Sequence, residues 1–228
     1  MSESLPLFPL GTTLFPGQLL PLHVFEQRYH DLLADLVSGS SSSTPGVTGR
    51  RGPRFGVVAI RSGHEVGARD LPQLHPVGCV AELVEVQPHP DGTSDLVALG
   101  RERFRLLGLD GSAGTSYLTG LVQWLEEPLT PTPPGLSAQV TDLFGRYRAA
   151  LGGAGEGPVL PRDPTVLSWA VAGSMALHPG ERQHLLEVPD AAQRLQHLRR
   201  LLRRELVLAA TMPSLPATEI GRRPPDPR

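Results

Sequence analysis

Five residues near the amino end of the chain are of the types that anchor a binding partner. They are Phe15, His23, Phe25, Arg28 and Tyr29. Aromatic rings and arginine supply much of the energy at protein interfaces, and strands interrupted by prolines leave backbone groups that a bound peptide can use. The alternative is that Phe25 and Tyr29 are core and that Arg28 satisfies buried carbonyls. We favour the core for Phe25 and expect Arg28 and His23 at the surface.

The sequence contains none of the patterns that identify a catalytic site. There is no G-x-S-x-G motif, and His64-Glu65 does not continue as H-E-x-x-H. All 21 basic residues are arginine, which excludes a Ser-Lys dyad, a phosphate-loop lysine and a Schiff-base lysine. A Ser-His-Asp triad assembled in space leaves no linear signature, and nothing in the sequence favours one.

A metal site is not predicted either. His23 and His30 flank one strand-to-helix junction, but two histidines at this spacing are more typical of ordinary surface or hydrogen-bonded histidines than of metal ligands. We therefore predict a protein that is not an enzyme, with no catalytic residues, no metal and no cofactor.

Composition limits the partners and the compartment. The chain has 228 residues, of which 39% are hydrophobic, and a formal net charge of −2, so bulk charge attracts it neither to nucleic acid nor to an anionic membrane. Cys79 is the single cysteine, which excludes an intrachain disulfide. The first residues do not resemble a signal peptide, and the apolar run near Leu167 to Leu177 is too short to span a bilayer. We expect a soluble cytoplasmic protein.

The candidate binding residues lie among predicted strands and one helix. Two apolar runs, Leu5–Leu10 and Leu19–Phe25, flank the turn Phe15-Pro16-Gly17. Because proline has no N–H for a ladder, these strands are expected at sheet edges or with bulges. After Phe25 the spacing becomes helical, so a helix is predicted to begin near Glu26. Further strands are predicted at Phe55–Ile60, Val77–Gln87, Asp95–Leu109 and Tyr117–Leu125.

These strands indicate a small antiparallel barrel over residues 5–126, with a mobile serine-rich loop at 38–54. On the strand Asp95–Leu109, alternation places Arg101, Arg103 and Arg105 on one face. We favour a solvated outer face, with an anion-binding or partner face as the alternative. A bulge at Gly100 would change this facing on one side of it.

The second half of the chain is predicted to be helical. A proline-rich linker at 127–135 precedes a helical bundle at 136–211. Asp163-Pro164 begins a helix that is apolar nearly all round and is therefore expected to be buried. Arg194, on the last helix, is expected on a solvated face, with anion binding as the alternative. Residues 212–228 are proline-rich without a period, which predicts a disordered tail.

Several segments carry a family resemblance. They are Leu5-Pro6-Leu7-Phe8-Pro9-Leu10, Leu14-Phe15-Pro16-Gly17, Leu20-Pro21-Leu22-His23-Val24-Phe25-Glu26, Arg28-Tyr29, Asp91-Gly92-Thr93, Glu181-Arg182-Gln183 and Arg204-Glu205-Leu206. Over roughly residues 5–211 the chain resembles the N-terminal substrate-binding domain of Lon proteases, especially its stand-alone bacterial versions, and more distantly the Lon-like domain of cereblon. The resemblance implies an α+β fold, with an N-terminal PUA-like antiparallel β-barrel followed by a C-terminal helical bundle.

Three functions follow from these observations. The first is a non-catalytic protein- or peptide-binding module, which the resemblance implies, with a polypeptide substrate or partner protein as ligand. The second is RNA binding through the PUA-like barrel, which the charge and the lack of a stacking pattern among the aromatic residues oppose. The third is small-molecule binding in a pocket between barrel and helices. We predict the first, with neither membrane nor nucleic acid as a partner.

Overall fold

The computed structural model describes residues 3–40, 52–62, 73–152 and 159–211. The strands are β1 Glu3–Leu10, β2 Leu19–Val24, β3 Arg54–Ser62, β4 Gln73–Leu74, β5 Val77–Pro88, β6 Ser94–Leu109 and β7 Thr119–Leu125. The helices are α1 Gln27–Ser40, α2 Leu136–Ala150, α3 Pro164–Ser174, α4 Pro179–Glu187 and α5 Ala191–Thr211. The predicted tail at 212–228 and most of the predicted loop at 38–54 lie outside the described residues.

The strands close into a ring of hydrogen-bonded neighbours. The order β1-β7-β6-β5-β3 returns to β1 through a parallel β1–β3 pairing, and the other pairings in the ring are antiparallel. Strand β2 pairs with β6 outside this ring, and β4 pairs antiparallel with the end of β3. With the helices that follow, this is the α+β architecture that the sequence predicts.

Strand β1 divides its pairing between two neighbours. Residues 3–6 pair with β7, whereas residues 7–10 pair with β3. Each half of β1 therefore forms ladder hydrogen bonds on one side only. Because proline has no N–H to donate, this one-sided pairing accommodates Pro6 and Pro9. Pro21 lies in β2, which pairs with β6 alone among the described strands. The expectation that proline-containing strands lie at sheet edges is confirmed for β2.

A bulge interrupts β6 directly after Gly100. Ala81 of β5 faces Gly100, and Cys79 faces Arg103, so two residue steps on β5 span three on β6. An extra residue of this kind bends a strand and reverses the facing of the side chains beyond it. The bulge expected at Gly100 is therefore present, and it decides where the arginines of β6 point.

Helices α3 and α5 begin at side-chain caps, and the helices pack on the sheet through a common core. Asp163 accepts a hydrogen bond from the Val166 N–H at 2.9 Å, and Asp190 accepts one from the Gln193 N–H at 2.8 Å. These contacts satisfy backbone donors that a helix start leaves unpaired. Core residues such as Phe55 of β3 and Leu195 of α5 belong to one hydrophobic cluster. None of the helices within the described ranges is long and apolar enough to cross a membrane.

Candidate functional site

The turn Phe15-Pro16-Gly17 lies where the sheet meets the helices, and β6 holds it from one side. Gly17 has a φ of +77°, and the Gln18 N–H donates to the Phe15 carbonyl at 3.1 Å, as in a type II turn. The Gly17 N–H donates to the Gly100 carbonyl, and the Gly100 N–H donates to the Gln18 carbonyl, each at 2.8 Å. A β-carbon at Gly100 would lie 2.1 Å from the Phe15 carbonyl oxygen. Glycine at this position allows the close approach.

Helices α3 and α4 hold the same turn from the other side. Arg182 donates to the Thr13 carbonyl at 3.0 Å, and its guanidinium carbon lies 4.7 Å from the centroid of the Phe15 ring. The Phe15 ring is fully buried and lies 5.8 Å from the ring of Trp169. Phe15 thus fixes the turn from inside, and Pro16 is left on the outer side.

Two cavities flank Pro16 and Trp169, and these two residues contribute to the walls of both. The first, which we call the apolar cavity, has a volume of about 430 Å³ and is lined mainly by Pro16, Val159, Leu160, Pro161, Val166 and Trp169. The second, which we call the charged cavity, has a volume of about 500 Å³ and includes Arg54, Arg101, Glu102, Arg103, Trp124 and Glu127. Together they form what we call the junction groove.

Two buried arginines and one carboxylate form a cluster behind the Trp169 ring. Arg103 donates to Glu127 Oε2 at 2.9 Å, and Arg194 donates to Glu127 Oε1 at 2.5 Å. Arg103 also donates to the carbonyls of Leu186, Val188 and Pro189 at 2.9, 2.7 and 3.0 Å. The Arg194 guanidinium carbon lies 3.3 Å from the centroid of the Trp169 ring, a cation–π contact.

Burial lowers the pKa of both arginines. Desolvation is the main cause, and the negative charge of Glu127 opposes it; the pKa of Arg194 falls to about 10 and that of Arg103 also falls. Both groups therefore remain charged at neutral pH. A buried charge is tolerated when it is paired and hydrogen-bonded. Because Arg103 belongs to β6 and Arg194 to α5, their shared partner Glu127 links the sheet to the helices.

The expectation that Arg103 and Arg194 are solvated is wrong. Both side chains are buried, whereas Arg101 and Arg105 are exposed and Phe104 is packed inside as predicted. The bulge after Gly100 breaks the simple alternation, so Arg103 points towards the helices. Its acceptors come from the end of α4 and from the predicted linker, and local periodicity in the sequence carries no sign of such distant partners.

The five predicted binding residues are distributed over two locations. Phe15 is buried beneath the turn beside the junction groove and lines neither cavity, and the other four lie at the β2–α1 connection. Tyr29 is buried, and its ring stacks on that of Phe8 with centroids 3.9 Å apart. Arg28 is half-buried, pairs with Glu26 at 2.9 Å and lies over the Tyr29 ring at 4.6 Å. The rings of Phe15 and Tyr29 are thus part of the core.

The remaining two predicted residues reach the surface. His23 is exposed and its Nδ1 lies 2.7 Å from Asp95 Oδ1. Phe25 is 56% exposed, which corrects the expectation that its ring belongs to the core. The His23 and Phe25 rings lie side by side, with centroids 6.3 Å apart. A role in binding for the five residues stays a prediction.

Sequence reasoning did not single out Trp169, although it lines both cavities. The available signal was its place in the helix that begins at Asp163-Pro164, which is apolar nearly all round. A tryptophan in such a helix is expected to pack inside, and Trp169 is indeed largely buried. Its exposed edge, however, depends on the turn at Pro16, which lies far away in sequence.

The fold is that of an α+β domain in which a closed sheet and a helical layer meet at a shared groove. Residues 4–204 match the family described as the ATP-dependent protease La (LON) substrate-binding domain. The chain belongs to this family.

Individual relatives agree with the family. The chain is 27% identical over 217 residues to Lon protease 2 of Syntrophobacter fumaroxidans, an alignment that covers 90% of this chain and 25% of that protein. It is 29% identical over 203 residues to the Lon protease of Paraburkholderia phytofirmans, covering 85% and 23% of the two chains. The chain thus spans about a quarter of the length of these relatives.

Solved structures show the same fold. A Lon N-terminal domain protein from Xanthomonas campestris superposes with a TM-score of 0.60 at 27% identity, covering 92% of this chain and 99% of that one. The N-terminal domain of the Mycobacterium avium complex Lon protease has a TM-score of 0.60 at 17% identity, covering 90% and 98%. The second likeness shows the fold alone.

Proposed function

We propose that the chain binds polypeptide segments in the junction groove and that it does so without catalysing a reaction on them. The observation that carries this proposal is the pair of cavities on either side of Pro16 and Trp169. Membership of a substrate-binding domain family supports a polypeptide as the ligand.

The apolar cavity suits the side chains that an unfolded polypeptide exposes. Val166 stands at its wall with 52% of its surface exposed, and Val159 is almost fully exposed. Exposed apolar side chains beside a concave surface are characteristic of binding sites. An apolar side chain of the ligand would be buried between Val166 and the Trp169 ring.

The charged cavity offers both signs of charge and no strong excess of either. Arg54 pairs with Glu82 at 3.3 Å and with Glu102 at 3.4 Å, and Arg101 donates to Glu82 at 3.0 Å. These arginines already have carboxylate partners, which disfavours a site for a polyanion such as RNA. Such a mixed surface suits polar segments of varied sequence.

The absence of catalysis is supported by the residue types in the chain. A Ser-Lys dyad and a phosphate loop both need a lysine, and the sequence contains none. The matched family is a binding domain. We propose a cytoplasmic location as well, which fits a chain that has a single cysteine and uses no intrachain disulfide for its stability. Cell fractionation with an antibody to the chain checks this location.

A binding experiment with a matched control tests the proposal. The probe is fluorescein-labelled, reduced and carboxymethylated α-lactalbumin, an unfolded polypeptide, followed by fluorescence anisotropy. Val166→Asp should weaken binding about tenfold, since burying a valine side chain contributes roughly 1.5 kcal/mol. Val84→Asp replaces a valine that is 60% exposed on β5 and does not line either cavity, so its binding should match the wild type.

The same protein preparation tests the lack of catalysis. Neither ATP nor casein should be hydrolysed on prolonged incubation. Equal loss of binding in Val166→Asp and Val84→Asp would place the site elsewhere. Binding of random RNA that weakens with salt and competes with the labelled polypeptide would instead support the RNA alternative.

A small-molecule ligand is a second candidate, favoured by one observation. The charged cavity has a volume of about 500 Å³, within the usual range for ligand pockets. A metabolite that fills this cavity should raise the melting temperature of the wild type in a thermal-shift screen. Trp124→Ala, which opens the cavity wall, should reduce that shift while Val84→Asp leaves it unchanged.

A further inference from the structure

Three side chains with metal-binding atoms meet on the face formed by β2 and the start of β6. His23 and Asp95 are direct partners across the antiparallel pair, which places their β-carbons about 5 Å apart. His23 Nδ1 lies 2.7 Å from Asp95 Oδ1, and His89 Nε2 lies 2.9 Å from Asp95 Oδ2. One carboxylate thus receives an imidazole on each of its oxygens.

The hairpin between β5 and β6 fixes the position of His89. The His89 N–H donates to the Thr93 carbonyl at 2.8 Å, and the Gly92 N–H donates to the His89 carbonyl at 3.1 Å. Gly92 has a φ of +87°, which glycine adopts without strain. Asp91 accepts hydrogen bonds from Thr93 N–H and Oγ1 at 3.0 and 2.7 Å. Backbone hydrogen bonds therefore fix the positions of His23, His89 and Asp95, the three residues with metal-binding atoms.

We propose that His23, His89 and Asp95 form a binding site for a divalent transition-metal cation of the zinc type. One donor atom from each residue can be chosen so that all three lie within 4.8 Å of one another. In tetrahedral zinc coordination with bonds near 2.1 Å, ligand atoms are about 3.4 Å apart. Side-chain rotations close this difference, because the three side chains are not confined by the core.

The chemistry of the donor set favours zinc-like cations over magnesium or calcium. Two imidazole nitrogens and one carboxylate oxygen are ligands that Zn²⁺ accepts, whereas magnesium and calcium prefer oxygen alone. Three protein ligands leave a position for water. The Asp95 carboxylate supplies one negative charge, and the Asp91 carboxylate in the same hairpin adds to the local potential.

Metal binding requires each imidazole to change its tautomer. In the metal-free hydrogen bonds, the ring N–H donates to the Asp95 carboxylate, which at neutral pH can only accept. A metal bonds to the lone pair of that same nitrogen, so the proton moves through solvent to the other ring nitrogen. His23 then binds through Nδ1 and His89 through Nε2, and Asp95 contributes one oxygen.

Isothermal titration of the full chain with ZnCl₂ tests the site. We expect one equivalent to bind with micromolar affinity, and His89→Ala and Asp95→Asn each to weaken binding by at least about tenfold. The matched control is His184→Ala. His184 Nε2 lies 3.2 Å from His197 Nδ1 on α4 and α5, so this variant removes the other close histidine pair of the described residues while leaving the proposed site intact.

Cobalt provides a readout that does not depend on affinity alone. Co²⁺ bound at the proposed site should give the visible absorption of a four- or five-coordinate ion, and His23→Gln should abolish that spectrum while the circular dichroism spectrum and melting temperature are retained. The proposal is overturned if the wild type does not bind Zn²⁺ at millimolar concentration. It is also overturned if His184→Ala lowers affinity as much as His89→Ala.

Discussion

Strand β6 carries two polar clusters of similar construction and opposite surroundings. Near its start, Asp95 is shared between His23, which is exposed, and His89, which is half-buried. Beyond the bulge, Glu127 is shared between the buried Arg103 and Arg194. Each cluster has one carboxylate between two nitrogen-containing side chains. Burial therefore separates their roles: the inner cluster is part of the fold, and the outer one is available to bind.

The strongest test of this comparison removes the shared carboxylate from the inner cluster. Glu127→Ala should lower the free energy of unfolding by about 3 kcal/mol, because two buried guanidinium groups lose their countercharge. Urea denaturation measures this value. The neighbouring Glu126 is exposed, so Glu126→Ala should stay within about 0.5 kcal/mol of the wild type. Equal stability of the two variants would mean that burial does not separate the clusters.

An intermediate effect is expected at the bulge that divides them. Gly100→Ala should destabilise by about 2 kcal/mol, since overpacking against rigid backbone costs this much and the new β-carbon would lie 2.1 Å from the Phe15 carbonyl oxygen. Thermal unfolding measures the loss. Gly108→Ala, on the same strand, introduces a β-carbon with no neighbouring atom within 4 Å and should be close to neutral. If Gly108→Ala were equally destabilising, a general loss of glycine flexibility in β6 would be responsible.

The smallest effect belongs to the outer cluster. Asp95→Asn removes an exposed charge shared by the exposed His23 and the half-buried His89. It should leave the melting temperature almost unchanged, because ion pairs at the surface contribute little to stability. Differential scanning calorimetry without metal provides the measurement, and His23→Ala should behave in the same way. A fall of several degrees in either variant would show that the outer cluster, like the inner one, maintains the fold.

Much of the fold could be predicted from local chemistry. Asp163-Pro164 indicated the start of α3, and Gly100 indicated a bulge in β6. Each of these features depends on residues a few positions apart. The parallel pairing of β1 with β3 has no such local signal, because it depends on how the sheet closes.

The candidate groove was harder to predict for the same reason. Trp169 borders the cavities because Pro16, from the other half of the chain, lies opposite it. Arg103 is buried because the C-terminal end of α4 and the start of the linker supply its acceptors. Phe25 shows the opposite error. An aromatic residue at the end of an apolar run favours the core, yet β2 is an edge strand and leaves the ring exposed.

The divided pairing of β1 has a consequence for synthesis on the ribosome. The first strand emerges early, but part of its backbone pairs with β7, and its Glu3 accepts a hydrogen bond from Trp124, 121 positions later. Contacts of such long range form late and slow the folding of a chain. The nascent β1 therefore keeps part of its edge unpaired until β7 has been translated, and in that interval the uncovered edge is open to aggregation and to chaperone binding.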